Sequence, residues 1–311
     1  MIYSDLISKG TALITILRTS IKIIIGFVVV AVIAGCVAQQ SGKPPYPSVY
    51  GKGAINPHIV SLARIQQPNI SLPQSTSLTA WNAYLQKNFL RPKEIDHQEM
   101  ASMPQDPNHM QMTPLFDALG MIRDIQPSCT EYDYIFVFGG TPKYTYERFK
   151  FLQKNIKDKK LDISSNAKVV YINGYRKISD AEIEEAKTLG VKCTYQHQCA
   201  EGFWKAHYSD VPIKLEVITI QPPTGRRANT EDTLKVFYAR LPVRPSTKIL
   251  GYSNQPYVPY QGDTATAVSI KENRQDIDVE VVGGRSSTPV PTITYLDSIA
   301  RRVFTAATLQ P

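Results

Sequence analysis

The run Thr224-Gly-Arg226-Arg227-Ala-Asn229-Thr230-Glu231 carries the residue types best suited to holding a charged ligand. Two arginines beside an expected helix start can grip a phosphate or carboxylate bidentately, while Asn229 can either cap that helix or orient a ligand. Gly139-Gly140-Thr141 follows a wholly apolar run. Backbone N–H groups there could approach an anion with the dipole of the next helix behind them, although the same residues also suit an ordinary tight turn. No G-x-G-x-x-G pattern and no Walker lysine accompanies them, so no cofactor can be named. Asp263 and Thr264, expected to open a later helix, could complete a pocket with Ser253 and Asn254, but an acid in that place is also an ordinary N-cap. Cys193, His197 and Cys199 have metal-ligating types at a spacing that fits no standard zinc module. A disulfide and two free thiols are the main alternatives, no metal site is expected, and Cys129 is left odd. No G-x-S-x-G occurs, so a hydrolytic triad is not expected; Glu182, Glu231 and Asp263 stand as general acid or base candidates.

The elements that must position these residues alternate. Apolar runs at 134–138 (YIFVF), 168–172 (KVVYI), 191–195 (VKCTY), 215–220 (LEVITI), 247–251 and 277–282 read as short strands. Helical patterns at 144–156, 180–189, 230–241, 263–272 and 292–308 fall between and after them, the second opened by Ser179 with Glu182 three residues on, a capping box. Strands alternating with helices of ten or so residues predict crossover connections and a mostly parallel sheet buried on both faces. Ligands of such sheets bind outside the carboxyl ends of the strands. That rule selects Gly139 to Lys143, Asn173 to Ser179, Thr224 to Glu231 and Ser253 to Asp263.

Two further helices are expected upstream, over 78–89 with Trp81, Leu85 and Phe89 on one face, and over 113–125 after a Thr113-Pro114 start. Residues 39–75 are rich in proline, glutamine and serine, and read as a tether or extended arm. Residues 23–38 (IIIGFVVVAVIAGCVA) form a charge-free stretch preceded by Lys9, Arg18 and Lys22. It reads as an export or anchoring signal of borderline length, since about 20 apolar residues are usual for a span. Ile33-Ala34-Gly35-Cys36 resembles the lipobox of bacterial lipoprotein signals, which would make Cys36 a lipidated N-terminus; an uncleaved single anchor is the alternative. Either way the positive residues precede the apolar stretch, placing the bulk of the chain in the periplasm or at the cell surface.

The 311 residues therefore divide, as expectations, into an anchor (1–38), an arm (39–75), a helical extension (76–130) and an α/β domain (131–311) with an insertion at about 196–214. Hydrophobic residues at 42% and charged residues at 20% exclude a wholly disordered chain and a polytopic membrane protein. The formal charge of +8, from 35 Lys+Arg against 27 Asp+Glu, favours acidic lipid or phosphate-bearing neighbours; nucleic acid is not expected. Four cysteines rule out a disulfide-built scaffold, leaving apolar packing to supply the core.

The order of the loops carries a resemblance. A strand ending in FVFGGT, a strand ending in VVYINGY before SDAEIEEAKTLGV, then TGRRANTEDT, then YSNQPYVPYQGDTATAV, resembles the YdcF/SanA/ElyC-type family of bacterial envelope proteins over about residues 131–285. Gly139 and Gly140 match that family's first loop, Gly174 the second, Glu182 or Glu185 the acidic helix position, and Asn229, Thr230 and Glu231 much of the third motif. Asp232-Thr233 stands where the family has asparagine, and Ser253-Asn254-Gln255 lacks its histidine. The resemblance implies a doubly wound, Rossmann-like α/β sheet and a connection with cell-envelope maintenance. A membrane-anchored protein binding an anionic small molecule is the leading expectation. Its alternatives are an assembly lipoprotein engaging an envelope protein partner, and an enzyme acting on nucleotide or cell-wall precursors.

Overall fold

Five of the six apolar runs form one sheet. The computed structural model describes residues 44–92, 95, 99–162, 168–208, 213–221, 224 and 226–310. Within them the strands β3 (Tyr134–Phe138), β4 (Lys168–Gly174), β5 (Leu215–Ile220), β6 (Thr247–Asn254) and β7 (Ile277–Gly284) lie in the spatial order β5-β4-β3-β6-β7. Every neighbouring pair is parallel, with Phe136 opposite Val170 on one side and Gly251 on the other. A short hairpin of β1 (Tyr50–Gly51) and β2 (Ala54–Ile55) stands apart.

Alternation along each strand sends successive side chains to opposite faces, and both faces are covered. Ile135 and Val137 point into a core with Phe149, Leu152 and Phe203, which come from α4 (Pro142–Lys157) and α6 (Gln196–His207). Phe136 and Phe138 point the other way, against Leu234 and Phe237 of α7 (Thr230–Arg240) and Val268 of α8 (Val258–Lys271). Burying a phenylalanine of this kind contributes roughly 1.5–3 kcal/mol, so neither helical layer is dispensable. The helix α5 (Asp180–Thr188) begins with the expected capping box of Ser179 and Glu182.

The run 191–195 is not a sheet strand. Tyr195 makes one isolated antiparallel bridge to Lys177, and Cys193 is bonded to Cys199 with 5.1 Å between their Cα atoms. Extended chain over six residues would separate those atoms by about 20 Å, so the cross-link and an extended strand running on through Cys199 exclude each other. Where the sequence suggests an insertion at 196–214, residues 196–207 are α6, whose Cys199, Ala200 and Phe203 are buried against the sheet.

The segment expected to be an arm also contributes to a core. Pro57 is the first residue of α1 (Pro57–Gln66), where its missing N–H costs nothing, and Asn56 caps the helix by accepting from the His58 N–H at 3.0 Å. Ile59, Leu62 and Ala63 then fall on one face and are fully buried. They pack with α2 (Leu78–Asn88), α3 (His109–Ala118) and α9 (Thr292–Ala307) in a third apolar cluster that includes Trp81, Phe116 and Ile299. Helix α3 starts at His109 rather than at Thr113, and carries Pro114 in its interior. Among the described residues no helix is long and apolar enough to cross a membrane. The expected anchor and Cys36 lie outside the described residues.

Candidate functional site

The carboxyl ends of the sheet strands open into a cavity of about 380 Å³. Its lining comes from the loops after β3, β4 and β6, from the entry to α7, from Gln196, and from a wall made by Arg91 and α9. Of the residues singled out in the sequence, Gly139, Gly140, Thr141, Gly174, Arg227, Asn229 and Thr230 line it. Glu182, Arg226, Glu231, Ser253 and Asp263 do not.

The first glycine of the pair has its N–H committed to the sheet. The Gly139 N–H continues the sheet by donating to the Ile172 carbonyl at 2.7 Å, and a Cβ on Gly139 would sit 2.8 Å from that of Asn173. At the start of α4, Pro142 has no N–H, the Lys143 N–H is taken by Glu185, and the Tyr144 N–H is taken by Thr141 Oγ1. The first turn thus has little left for a ligand. The carbonyls are what the loop uses. Arg148 Nη1 donates to Phe138 O and Gly139 O, each at 2.7 Å, and Gln196 Nε2 donates to Gly140 O at 2.5 Å.

Arg148 is the central group of the site, and the sequence reading passed over it. Thr145, Arg148, Phe149 and Leu152 form the buried stripe of α4, at the i, i+3, i+4 and i+7 spacing of a core face. An arginine inside such a stripe is the signal that could have found it. Only 2% of Arg148 is exposed, it lines the cavity, and its Nε donates to Asn254 Oδ1 at 2.8 Å. All three of its hydrogen-bond acceptors are neutral, and no carboxylate among the described residues forms an ion pair with it. Burial pushes its pKa down to about 10, which still leaves it charged at neutral pH.

The other arginines divide by partner. Arg176 lines the cavity while held bidentately by Glu182, at 2.6 and 2.7 Å, so Glu182 acts by fixing Arg176. Arg301 lines it too and is held by Asp297 at 2.7 Å. Arg226 faces Asp232, with Nη2 to Oδ1 at 2.8 Å, and Asp232 also accepts the Asn229 N–H at 2.8 Å. Hydrogen bonding from Arg226, with the Asn229 N–H adding to it, lowers the Asp232 pKa. Asn229 in turn accepts the Asp232 N–H at 2.9 Å, a reciprocal cap at the head of α7. Glu231 points to Lys235 and Lys271 instead.

Two more candidates have structural partners. Ser253 is fully buried and donates to Gln261, which does line the cavity. Asp263 is not a helix cap, because α8 begins at Val258. It pairs with the fully buried Arg302 at 2.7 Å, and Arg302 also donates to Pro47 O at 2.8 Å and lies over the Tyr46 ring. This pair ties α8 and α9 to the chain's first described residues. Burial raises the pKa of Asp263 against the opposing effect of Arg302.

The cavity thus gathers Arg91, Arg148, Arg176, Arg227 and Arg301 around one lining carboxylate, Asp297, with Tyr144, Tyr175, Tyr257 and Tyr260 completing its surface. Such a chamber is suited to an anion that carries apolar or ring-bearing structure. Among the described residues no cluster of histidine, cysteine, aspartate and glutamate could hold a metal ion. No protein-family model, curated protein or solved structure matches the chain.

Proposed function

We propose that the cavity binds an anionic, phosphate-bearing small molecule, and that the protein does so in the bacterial cell envelope, anchored through residues 23–38. The observation that carries the binding reading is Arg148, a buried cation lining the cavity whose three acceptors are all neutral. A charge removed from water without a counter-charge costs several kcal/mol, and a bound anion is what would offset it. The strand order β5-β4-β3-β6-β7, with its crossover reversal between β3 and β6, supports the reading of a doubly wound, Rossmann-like sheet, whose ligands bind at such a reversal, and residues after both strands line the cavity. Similarity of the loop order to the YdcF/SanA/ElyC-type family, together with the lipobox-like Ile33 to Cys36, supports the envelope setting.

Binding is favoured over acid–base catalysis by the state of the carboxylates. Asp297, the one acid lining the cavity among the described residues, is engaged by Arg301, and Glu182 is engaged by Arg176. The assembly alternative draws on the proline-rich arm, the Trp81 helix and the 196–214 stretch as partner surfaces, whereas Ile59, Leu62 and Trp81 are spent in one internal core and Cys199 and Phe203 in another.

The test is calorimetric titration of the full chain with orthophosphate, phosphosugars and nucleotides, repeated with Arg148→Gln. Binding of at least one of them that the substitution weakens supports the reading. A folded protein that binds none, or binds equally well without Arg148, overturns it. Fractionation with lipid labelling of wild type and Cys36→Ala tests the anchor separately.

A further inference from the structure

The part of the cavity lining contributed by Arg91 and α9 holds further polar groups without a hydrogen-bond partner. Arg91, just beyond the end of α2, lines the cavity, and its Nη1 is buried without a hydrogen-bond partner. Ser298 of α9 lines it as well, is 1% exposed, and has an equally unpartnered Oγ. Asp297 does not neutralise the Arg91 guanidinium. Its carboxylate accepts the Arg91 backbone N–H at 3.2 Å and the Arg301 side chain at 2.7 Å. Buried donors without acceptors are rare in native proteins, and each unsatisfied one is costly. Two of them lining one polar cavity, with the Arg91 backbone tied to Asp297 next to Ser298, describe a binding site for an acceptor that the protein does not itself provide.

This set comes from elements other than those that build the Arg148 floor. The floor is built by α4, by the carbonyls after β3, and by Asn254 at the end of β6. The wall is built by the upstream extension and the last helix, which pack on each other through Trp81, Leu85 and Ile299. A single phosphate has no need of both.

We propose that the cavity has two anion subsites and takes a ligand with two anionic groups, one against Arg148 and the other against Arg91 and Ser298. The proposal rests on the anion-binding reading above and specifies the class of ligand. The upstream extension is then part of the recognition surface, and Arg91 selects for a doubly charged molecule.

The probes are alkane-α,ω-bisphosphonates of increasing spacer length and alkylphosphonates of the same lengths, titrated calorimetrically into the full chain. At one spacer length the bisphosphonate is expected to bind at least about tenfold more tightly than its single-headed counterpart, the gain of one further charge-assisted contact. Arg91→Gln should abolish that preference, weakening the bisphosphonate at least about tenfold more than the alkylphosphonate of the same length, and Ser298→Ala should reduce it. Thermal unfolding of each variant shows that it is folded; if Arg91→Gln is not, Ser298→Ala alone decides. A gain below tenfold at every spacer, or a preference that survives the decisive substitution, overturns the second subsite while alkylphosphonate binding leaves the first intact. If neither series binds, this proposal fails, while the anion-binding reading stands or falls by the orthophosphate, phosphosugar and nucleotide titrations.

Discussion

Arg148 Nη1 lies 3.1 Å from the point where a side chain on Gly140 would begin, so the second glycine of the pair is the seat of the buried guanidinium. The first glycine has a different duty, since its Cβ would meet Asn173 and the Ile172 carbonyl at 2.8 and 3.1 Å. Gly140→Ala is therefore expected to shift Arg148 and lower orthophosphate affinity with a modest loss of stability. Gly139→Ala should cost about 1–3 kcal/mol of stability through overpacking. Urea unfolding and calorimetry on both variants check this; equal effects on stability and binding in the two would contradict the division.

Of the two neighbouring arginines in the Thr224 to Glu231 run, Arg226 should behave differently from Arg148. Arg148→Gln should weaken anion binding by roughly 10- to 150-fold, the worth of a charge-assisted hydrogen bond. Arg226→Ala should change it by less than about threefold, because Arg226 is engaged with Asp232 and lies outside the cavity lining. A large effect of Arg226→Ala on affinity in a folded sample would place that side chain at the ligand after all.

Anion affinity should depend on pH at the alkaline end. Arg148, pushed down to about 10 by burial, loses its proton as the pH rises through that value, and the anion loses its counter-charge. Affinity for orthophosphate, mainly a dianion over this range, is expected to hold between about pH 8 and 9 and to fall above about 10. The limb should disappear in Arg148→Gln. An unchanged limb in that variant would assign it to another group.

At the acid end the cap of α7 is the sensitive point. Asp232 has its pKa lowered by its hydrogen bonds with Arg226 and Asn229, so it binds fewer protons folded than unfolded. Its contribution is fully present above the ordinary carboxylate pKa and is lost as the pH falls through the lowered folded value. Asp232→Asn should flatten the acid limb of a stability–pH curve, measured by urea unfolding. An identical limb in the variant would remove Asp232 from the account.

The Asp263–Arg302 pair should matter for stability and not for binding. Asp263→Asn leaves a fully buried guanidinium without its acid and is expected to cost about 3–5 kcal/mol. Orthophosphate affinity of the folded fraction should be unchanged, since neither residue lines the cavity. Loss of affinity without loss of stability would reverse that assignment.

Local sequence determined most elements of the α/β sheet and the end of it at which the cavity opens. Apolar runs too short for helices, separated by capped amphipathic stretches, dictate crossovers and a parallel sheet, and Tyr134–Phe138, Asp180–Thr188 and Thr292–Ala307 formed where periodicity placed them. Asn229 was legible as a residue that caps or meets a ligand; it caps α7 and also lines the cavity, and only the cap is settled within four residues of chain. Tertiary structure alone decided which charges meet. Arg226 and Arg227 are adjacent in sequence, yet one pairs with Asp232 and the other lines the cavity. Asp263 found Arg302 from 39 residues away, and Arg148 became the floor of the site because its helix packs beneath the glycine loop. Arg91 and Ser298 lie 207 positions apart, and nothing local marks either. Hydrophobic period and capping act over one or two turns, whereas the state of a charge depends on everything packed around it in space. The fold class was therefore readable along the chain, and the set of groups that would hold a ligand was not.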